Sequence, residues 1–228
     1  MQLPARLVLA LLVVSGCSSA TPTASPPSVQ ASAAVTTAPP GPSPTPEGIA
    51  ALELTASASL VPGRYTRSGF APRITFLVDD PAWAAVQLFG GFFDIQRDQG
   101  TPDVIAVQFA KPEAIYGADD IAVSVTGASN ARDTLKQNPT LKLVEESTSK
   151  IGGLDGVQLT VETAGDTRAH LMDLLPGALS MDPGRKLWVA FFDTPDGLLA
   201  IMIGGSVAKW QAALDAAEPV LETVTIGA

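Results

Sequence analysis

The stretch LWVAFFDTPDGLLAIMI, Leu187 to Ile203, reads as two apolar strands joined by a turn. Leu187 to Phe192 and Leu198 to Ile203 are the strands, and Thr194-Pro195-Asp196-Gly197 is rich in turn formers. It is the clearest hairpin of the chain, and it makes antiparallel pairing the reading to extend outward. Leu141 to Thr148 and Val157 to Thr163 read as a second strand pair, joined through Gly152-Gly153. Gly91 to Arg97 and Val104 to Phe109 flank Asp98 to Asp103, another run of turn residues. Gly63 to Gly69, Arg73 to Val78 and Arg168 to Leu174 complete the expected strands.

Helices are few. Ser129 to Gln137 reads as a short one, capped by Ser129 or Asn130 and stopped before Asn138-Pro139. The last helix has Ser206 where an N-cap belongs, with Trp210, Leu214, Ala217, Leu221 and Val224 spaced as one apolar face. Pro219, which lacks an N–H, is expected to kink or end it near Ala216. Grouped strands with few helices predict an α+β fold: a central antiparallel sheet flanked by helices.

Residues 49–228 are read as this single globular domain, and the chain before them has a different character. The sole cysteine, Cys17, stands in LVVSGCSS, after the apolar run Leu7 to Val14 and a single preceding basic residue, Arg6. That run is a signal-peptide core and is far shorter than the ~20 residues of a spanning helix. Val14-Ser15-Gly16-Cys17 resembles the lipobox of bacterial lipoproteins, which implies cleavage after residue 16 and acylation of Cys17. Residues 17–48 follow as a tether of Ala, Pro, Ser and Thr, with no charge before Glu47. Such a segment is read as disordered, because it holds too few bulky apolar residues for a core. At roughly 30 residues it reaches about 30 Å as a coil and about 90 Å if fully polyproline-like.

A second resemblance rests on residues of the domain. Gly63-Arg64-Tyr65, Phe70-Ala71-Pro72, Ile74-Thr75-Phe76 and Trp83 open it; Leu154-Asp155-Gly156-Val157-Gln158 and Ala217 to Val224 continue it. Together they resemble LpqN-like and PsbP-like domains, over most of residues 60 to 228. The resemblance implies a central antiparallel sheet between helices and an accessory or binding role. It carries no catalytic motif over to this chain.

Charge narrows the partners. Asp and Glu number 23 against 14 Lys and Arg, a net charge of −9, so nucleic acid and anionic lipid headgroups are repelled. The expected localisation is extracytoplasmic, on a bacterial envelope membrane held through Cys17. With one cysteine no internal disulfide forms, and apolar residues at 46% must supply the core.

Chemistry is sparse. His170 is the only histidine, and with Cys17 acylated too few soft ligands remain for a zinc site. It sits in a strand with Leu171 on the opposite face and is read as solvent-facing; the catalytic alternative is a hydrolase using His170 with a serine and an acid. Gly204-Gly205-Ser206 lacks the second glycine of a nucleophile elbow and reads as a helix cap. The acidic pairs Asp79-Asp80, Asp119-Asp120 and Glu145-Glu146 lack calcium-loop spacing and read as solvated charges. No cofactor is expected.

One segment resists a purely structural reading. VQLFGGFFD, Val86 to Asp94, places Phe89, Phe92 and Phe93 around a glycine pair, and Phe89 and Phe92 at a loop tip would form an exposed apolar patch. These three are the candidate residues for binding an envelope protein or a small apolar ligand. The expected function is a non-catalytic, lipid-anchored envelope module; a hydrolase using His170 and a structural spacer without a ligand are the alternatives.

Overall fold

The hairpin forms as Arg185–Thr194 against Gly197–Ser206, with Thr194 paired to Gly197 across a Pro195-Asp196 loop. Pro195 fits the turn's restricted φ, and Gly197 takes φ 104°, a value that L side chains rarely adopt. This computed structural model describes residues 50–175 and 177–227. The expected signal peptide, Cys17 and tether lie outside them.

Around the hairpin grows an eight-stranded sheet. Its order is Leu141–Ile151, Leu154–Thr163, Arg185–Thr194, Gly197–Ser206, Ile105–Ala110, Phe92–Arg97, Ala84–Phe89 and Ala58–Ser59. Every neighbouring pair in it is antiparallel. Both faces are covered, which is why the central strands read as nearly continuous apolar runs. Side chains alternate between two cores. Ala190, Phe192, Leu199, Ile201 and Ile203 enter the first; Val189, Phe191, Ala200 and Met202 enter the second.

The covering layers contain more sheet than expected. Over the first core lie α2 (Trp210–Glu222) and a small sheet ordered Leu52–Glu53, Gly63–Thr66, Arg73–Val78, Thr225–Gly227. Over the second lie α1 (Ala128–Leu135) and a small sheet ordered Gly177–Met181, Ala169–Leu174, Ala114–Tyr116, Ala122–Ser124. The flanking helices are thus one per face, each sharing its layer with strands.

Local chemistry explains the departures. In α2 the buried line is Ala213, Ala217 and Val220, with Trp210, Leu214 and Leu221 packed at its margins. A Cβ on Gly205 would come within 2.7 Å of the Ala213 Cβ, so the absent side chain lets the helix settle on the sheet. Pro219 does not end α2. It is exposed, and the Asp215 carbonyl it leaves without a helical partner belongs to an exposed residue that water can reach. In α1 neither Ser129 nor Asn130 caps the start. Asp193 Oδ1, from the central hairpin, accepts from the Ala128 N–H at 2.9 Å. Gly127 makes room for it, since a Cβ there would meet that oxygen at 2.9 Å. The helix ends at Leu135, two residues before the expected Gln137, and a turn leads to buried Asn138, whose Nδ2 donates to the His170 carbonyl at 2.8 Å.

Candidate functional site

Val86 to Asp94 folds as a hairpin. Ala84–Phe89 pairs with Phe92–Arg97, and Gly90-Gly91 forms the turn between Phe89 and Phe92. Strand alternation then separates the three phenylalanines. Phe93 points into the first core, fully buried, with Phe109 stacked at 4.6 Å and Phe70 edge-on at 4.9 Å. Phe92 points the other way and is 2% exposed, in the second core. Only Phe89 is open, at 42%. Of the two rings expected to be exposed, Phe89 is at the surface and Phe92 is at the base of a groove, while Phe93 is a core ring. The correction follows from the strand's having a packed layer on each side.

Phe89 and Phe92 stack with centroids 6.4 Å apart and line a groove of about 270 Å³ with Leu174, Ala178 and Leu179. Its far wall is the strand Gly177–Met181, an edge of the third layer. Past Leu179, which lines both, the gap widens into a hollow of about 400 Å³. There the central sheet presents Gln96 and Gln108, with Ser180, Asp182 and Arg185 among the other lining groups. Sheet and edge strand thus frame a cleft with an apolar half and a polar half.

The polar half is held by fixed hydrogen bonds. Half-buried Arg185 donates to the carbonyl of Pro102 at 3.0 Å and of Val104 at 2.6 Å, pinning the Asp98–Asp103 loop. Burial pulls its pKa down, against the pull of Asp182 and Asp103. Beneath the cleft lies Asp94, with no exposed surface. It shares the sheet face of Phe92 and Gln96 by alternation. Its Oδ1 accepts from the Gln87 N–H at 2.7 Å, and its Oδ2 accepts from Gln96 Nε2 at 2.6 Å. Gln108 is the cross-strand partner of Asp94. Burial drives the Asp94 carboxyl pKa upward, while the hydrogen bonds from Gln96 and Gln87 work in the opposite direction. Gln87 falls within a register break between Ala85 and Leu88, so Asp94 supplies the acceptor that the ladder there does not.

The remaining candidates have other settings. His170 is partly exposed opposite buried Leu171, as expected for its strand. Its Nδ1 lies 2.9 Å from Asp120 Oδ2, and its ring packs on Tyr116 with centroids 5.1 Å apart. The Tyr116 hydroxyl donates to Asp173 Oδ1 at 3.0 Å, which raises the phenol's pKa. An acid and an imidazole are paired, but among the described residues no serine hydroxyl bonds to His170. Ser206 caps the turn Val207–Lys209, accepting from the Lys209 N–H at 3.3 Å and meeting Asp103 Oδ1 at 3.2 Å. Asp80 accepts from Arg97 at 2.9 Å, and Glu146 takes Lys136 at 2.6 Å. Among the described residues no three His, Cys, Asp or Glu side chains converge as a metal site would require. Nor is any helix among them long and apolar enough to cross a membrane.

Asp94, Gln96 and Gln108 carry no motif that marks them as site residues in the sequence. The available signal was polar residues at positions of one parity within otherwise apolar strands, the positions that face the cleft.

The chain is similar to PsbP-like and LpqN structures, the two kinds of domain its sequence resembles. The cyanobacterial PsbP (CyanoP) of Synechocystis is 10% identical, with a TM-score of 0.42, over 75% of this chain and 96% of that one. LpqN of Mycobacterium tuberculosis, described as involved in cell envelope biogenesis, is 13% identical, with a TM-score of 0.40, over 79% of this chain and 91% of that one. No protein-family model matches the sequence, and no curated protein matches it.

Proposed function

We propose that this protein is a lipid-anchored, extracytoplasmic accessory module of a bacterial envelope that binds a small amphipathic ligand without transforming it. The observation that carries the reading is the two-part cleft. An apolar groove built on Phe89 and Phe92 opens into a polar hollow floored by Gln96 and Gln108, so one molecule with an apolar portion and a polar head would satisfy both halves. Phe89 is the accessible ring; Phe92 forms the groove's base; Phe93 lies in the opposite core. The signal-like start and Cys17 supply the anchoring half, since acyl chains hold a negatively charged chain to a membrane that charge alone would not.

The anchor is tested by Cys17→Ser. The variant is expected to leave the detergent phase on partitioning and be released from membranes. Partitioning unchanged from the wild type would contradict acylation at Cys17.

A further inference from the structure

The proposal deepens the cleft reading and rests on it. Strand register places Arg185, Leu187, Gly204, Ala106 and Gln96 on one face of the central sheet, the face onto which the cleft opens. The small residues among them leave the hollow: a Cβ added at Gly204 would meet nothing nearer than the Ala106 Cβ at 4.0 Å. At one end stands the half-buried Arg185 guanidinium. Its bonds to the Pro102 and Val104 carbonyls hold it in place without cancelling its charge, and they use two of a guanidinium's five N–H groups. Among the described residues no carboxylate forms an ion pair with it. The two that act on it from a distance are taken elsewhere, Asp182 by Arg168 and Asp103 by Lys209, each at 2.7 Å. Lys186 turns to the other face of the sheet and pairs with Glu162 at 3.1 Å. Asp94 sits on the third strand over from Arg185 and is answered by Gln96 and Gln87. The Ser180 hydroxyl, which lines the same hollow, has no hydrogen-bond partner among the described residues. A charge held partly out of water without a counter-ion is costly, so the hollow is suited to an anion that arrives with the ligand.

We propose that the hollow is an anion site, which takes a carboxylate or phosphate head onto Arg185 and Ser180 while the ligand's apolar chain lies in the groove of Phe89 and Phe92. The strand Gly177–Met181 runs from one to the other: Ala178 lines the groove, Leu179 lines both, and Ser180 lines the hollow. The net charge of −9 does not oppose this, because exposed charges farther apart than about 8 Å are largely screened at physiological salt and a partly buried contact is screened much less. The competing account is that Arg185 serves only to pin the Asp98–Asp103 loop. That role would support folding and leave head-group preference untouched.

The test uses four probes with one shared decyl chain: decanoate, decyl phosphate, 1-O-decylglycerol and decylammonium. Each is titrated below its aggregation threshold at neutral pH into the chain from residue 17 onward carrying Cys17→Ser, which needs no detergent. Binding is followed through the backbone N–H signals of Ala178 and Ser180 and the Nε–H signal of Arg185. At least one anionic probe is expected to shift all three signals and to bind about tenfold more tightly than decylglycerol, the effect of one charge-assisted hydrogen bond. A preference for decanoate assigns a carboxylate head, and one for decyl phosphate assigns a phosphate head. Arg185→Gln, which keeps an amide to donate to the loop carbonyls, is expected to bring the ratio of anionic to neutral affinity close to unity. Ser180→Asp, on an edge strand away from that loop, is expected to turn the preference against the anionic probes, and it carries the test if Arg185→Gln loses its fold. Equal affinities for anionic and neutral probes in the wild type, or tighter binding of decylammonium, would overturn the anion assignment while leaving the cleft as a binding site. A ratio unchanged in a folded Arg185→Gln would confine Arg185 to pinning the loop, and one unchanged in Ser180→Asp would place the head elsewhere; either result sinks the assignment. If no probe binds, the cleft reading and this inference fail together.

Discussion

A strand covered on both sides sends neighbouring side chains into different cores, and Phe92 and Phe93 are divided in this way. Consecutive phenylalanines look alike in sequence, and only the layer count separates them. The difference is measurable. Phe93→Ala is expected to cost about 3–5 kcal/mol, because it empties a site packed against Phe70, Phe76 and Phe109. Phe89→Ala, at a ring 42% exposed, is expected to stay within about 0.5 kcal/mol while weakening ligand capture. Urea denaturation of both variants checks the pair; a large loss at Phe89 would make it a core residue. Asp94 gives a prediction in pH. Burial raises its folded-state pKa above the unfolded value, so the native state holds the proton more firmly. The resulting stability is fully present below the unfolded pKa, about 3.9, and is lost as pH rises through the folded pKa. Carboxylates such as Glu162, held low by Lys186 and Lys142, act with the opposite sign. The quantity to measure is therefore the wild type minus Asp94→Asn. That difference is expected to fall with rising pH, and a flat one would mean that the pKa of Asp94 is the same folded and unfolded.

Elements were legible where they were long or sharply punctuated. The Leu187–Ile203 hairpin, the Gly152-Gly153 pair and the last helix all have turn residues or spacing that local physics reads directly. Ala114–Tyr116, Ala122–Ser124, Gly177–Met181 and Thr225–Gly227 were not read, because three to five residues carry too little periodicity to stand out. These short strands build most of one covering layer and close the other, so the cleft's outer wall was invisible although its inner wall was not. The α1 cap shows the same limit. Asp193 is 65 residues from Ala128, and no local motif predicts that it would replace Ser129 or Asn130. Asp193→Ala is expected to lower stability by about 1 kcal/mol, the usual loss of an N-cap acceptor. Thermal denaturation reads it, and an unchanged midpoint would mean that the Ala128 N–H finds another partner.

For the whole molecule, the α+β class with a central antiparallel sheet was legible because the apolar runs, turns and scarce helices agreed with one another. The cleft was not, since it arises between layers that sequence order does not place side by side: Phe89 and Gln96 come from one region and Leu179 and Arg185 from another. The proposed role joins this cleft to a leader read as an acylated anchor, so a ligand drawn from the envelope is the natural occupant. Native mass spectrometry is the most direct test. The chain from residue 17 onward with Cys17→Ser is incubated with a native envelope lipid extract and weighed beside a variant also carrying Ala178→Trp, which fills the groove. The account predicts a discrete added mass in the small-molecule range on the first and its loss from the second. No added mass, or one that Ala178→Trp leaves in place, would contradict it.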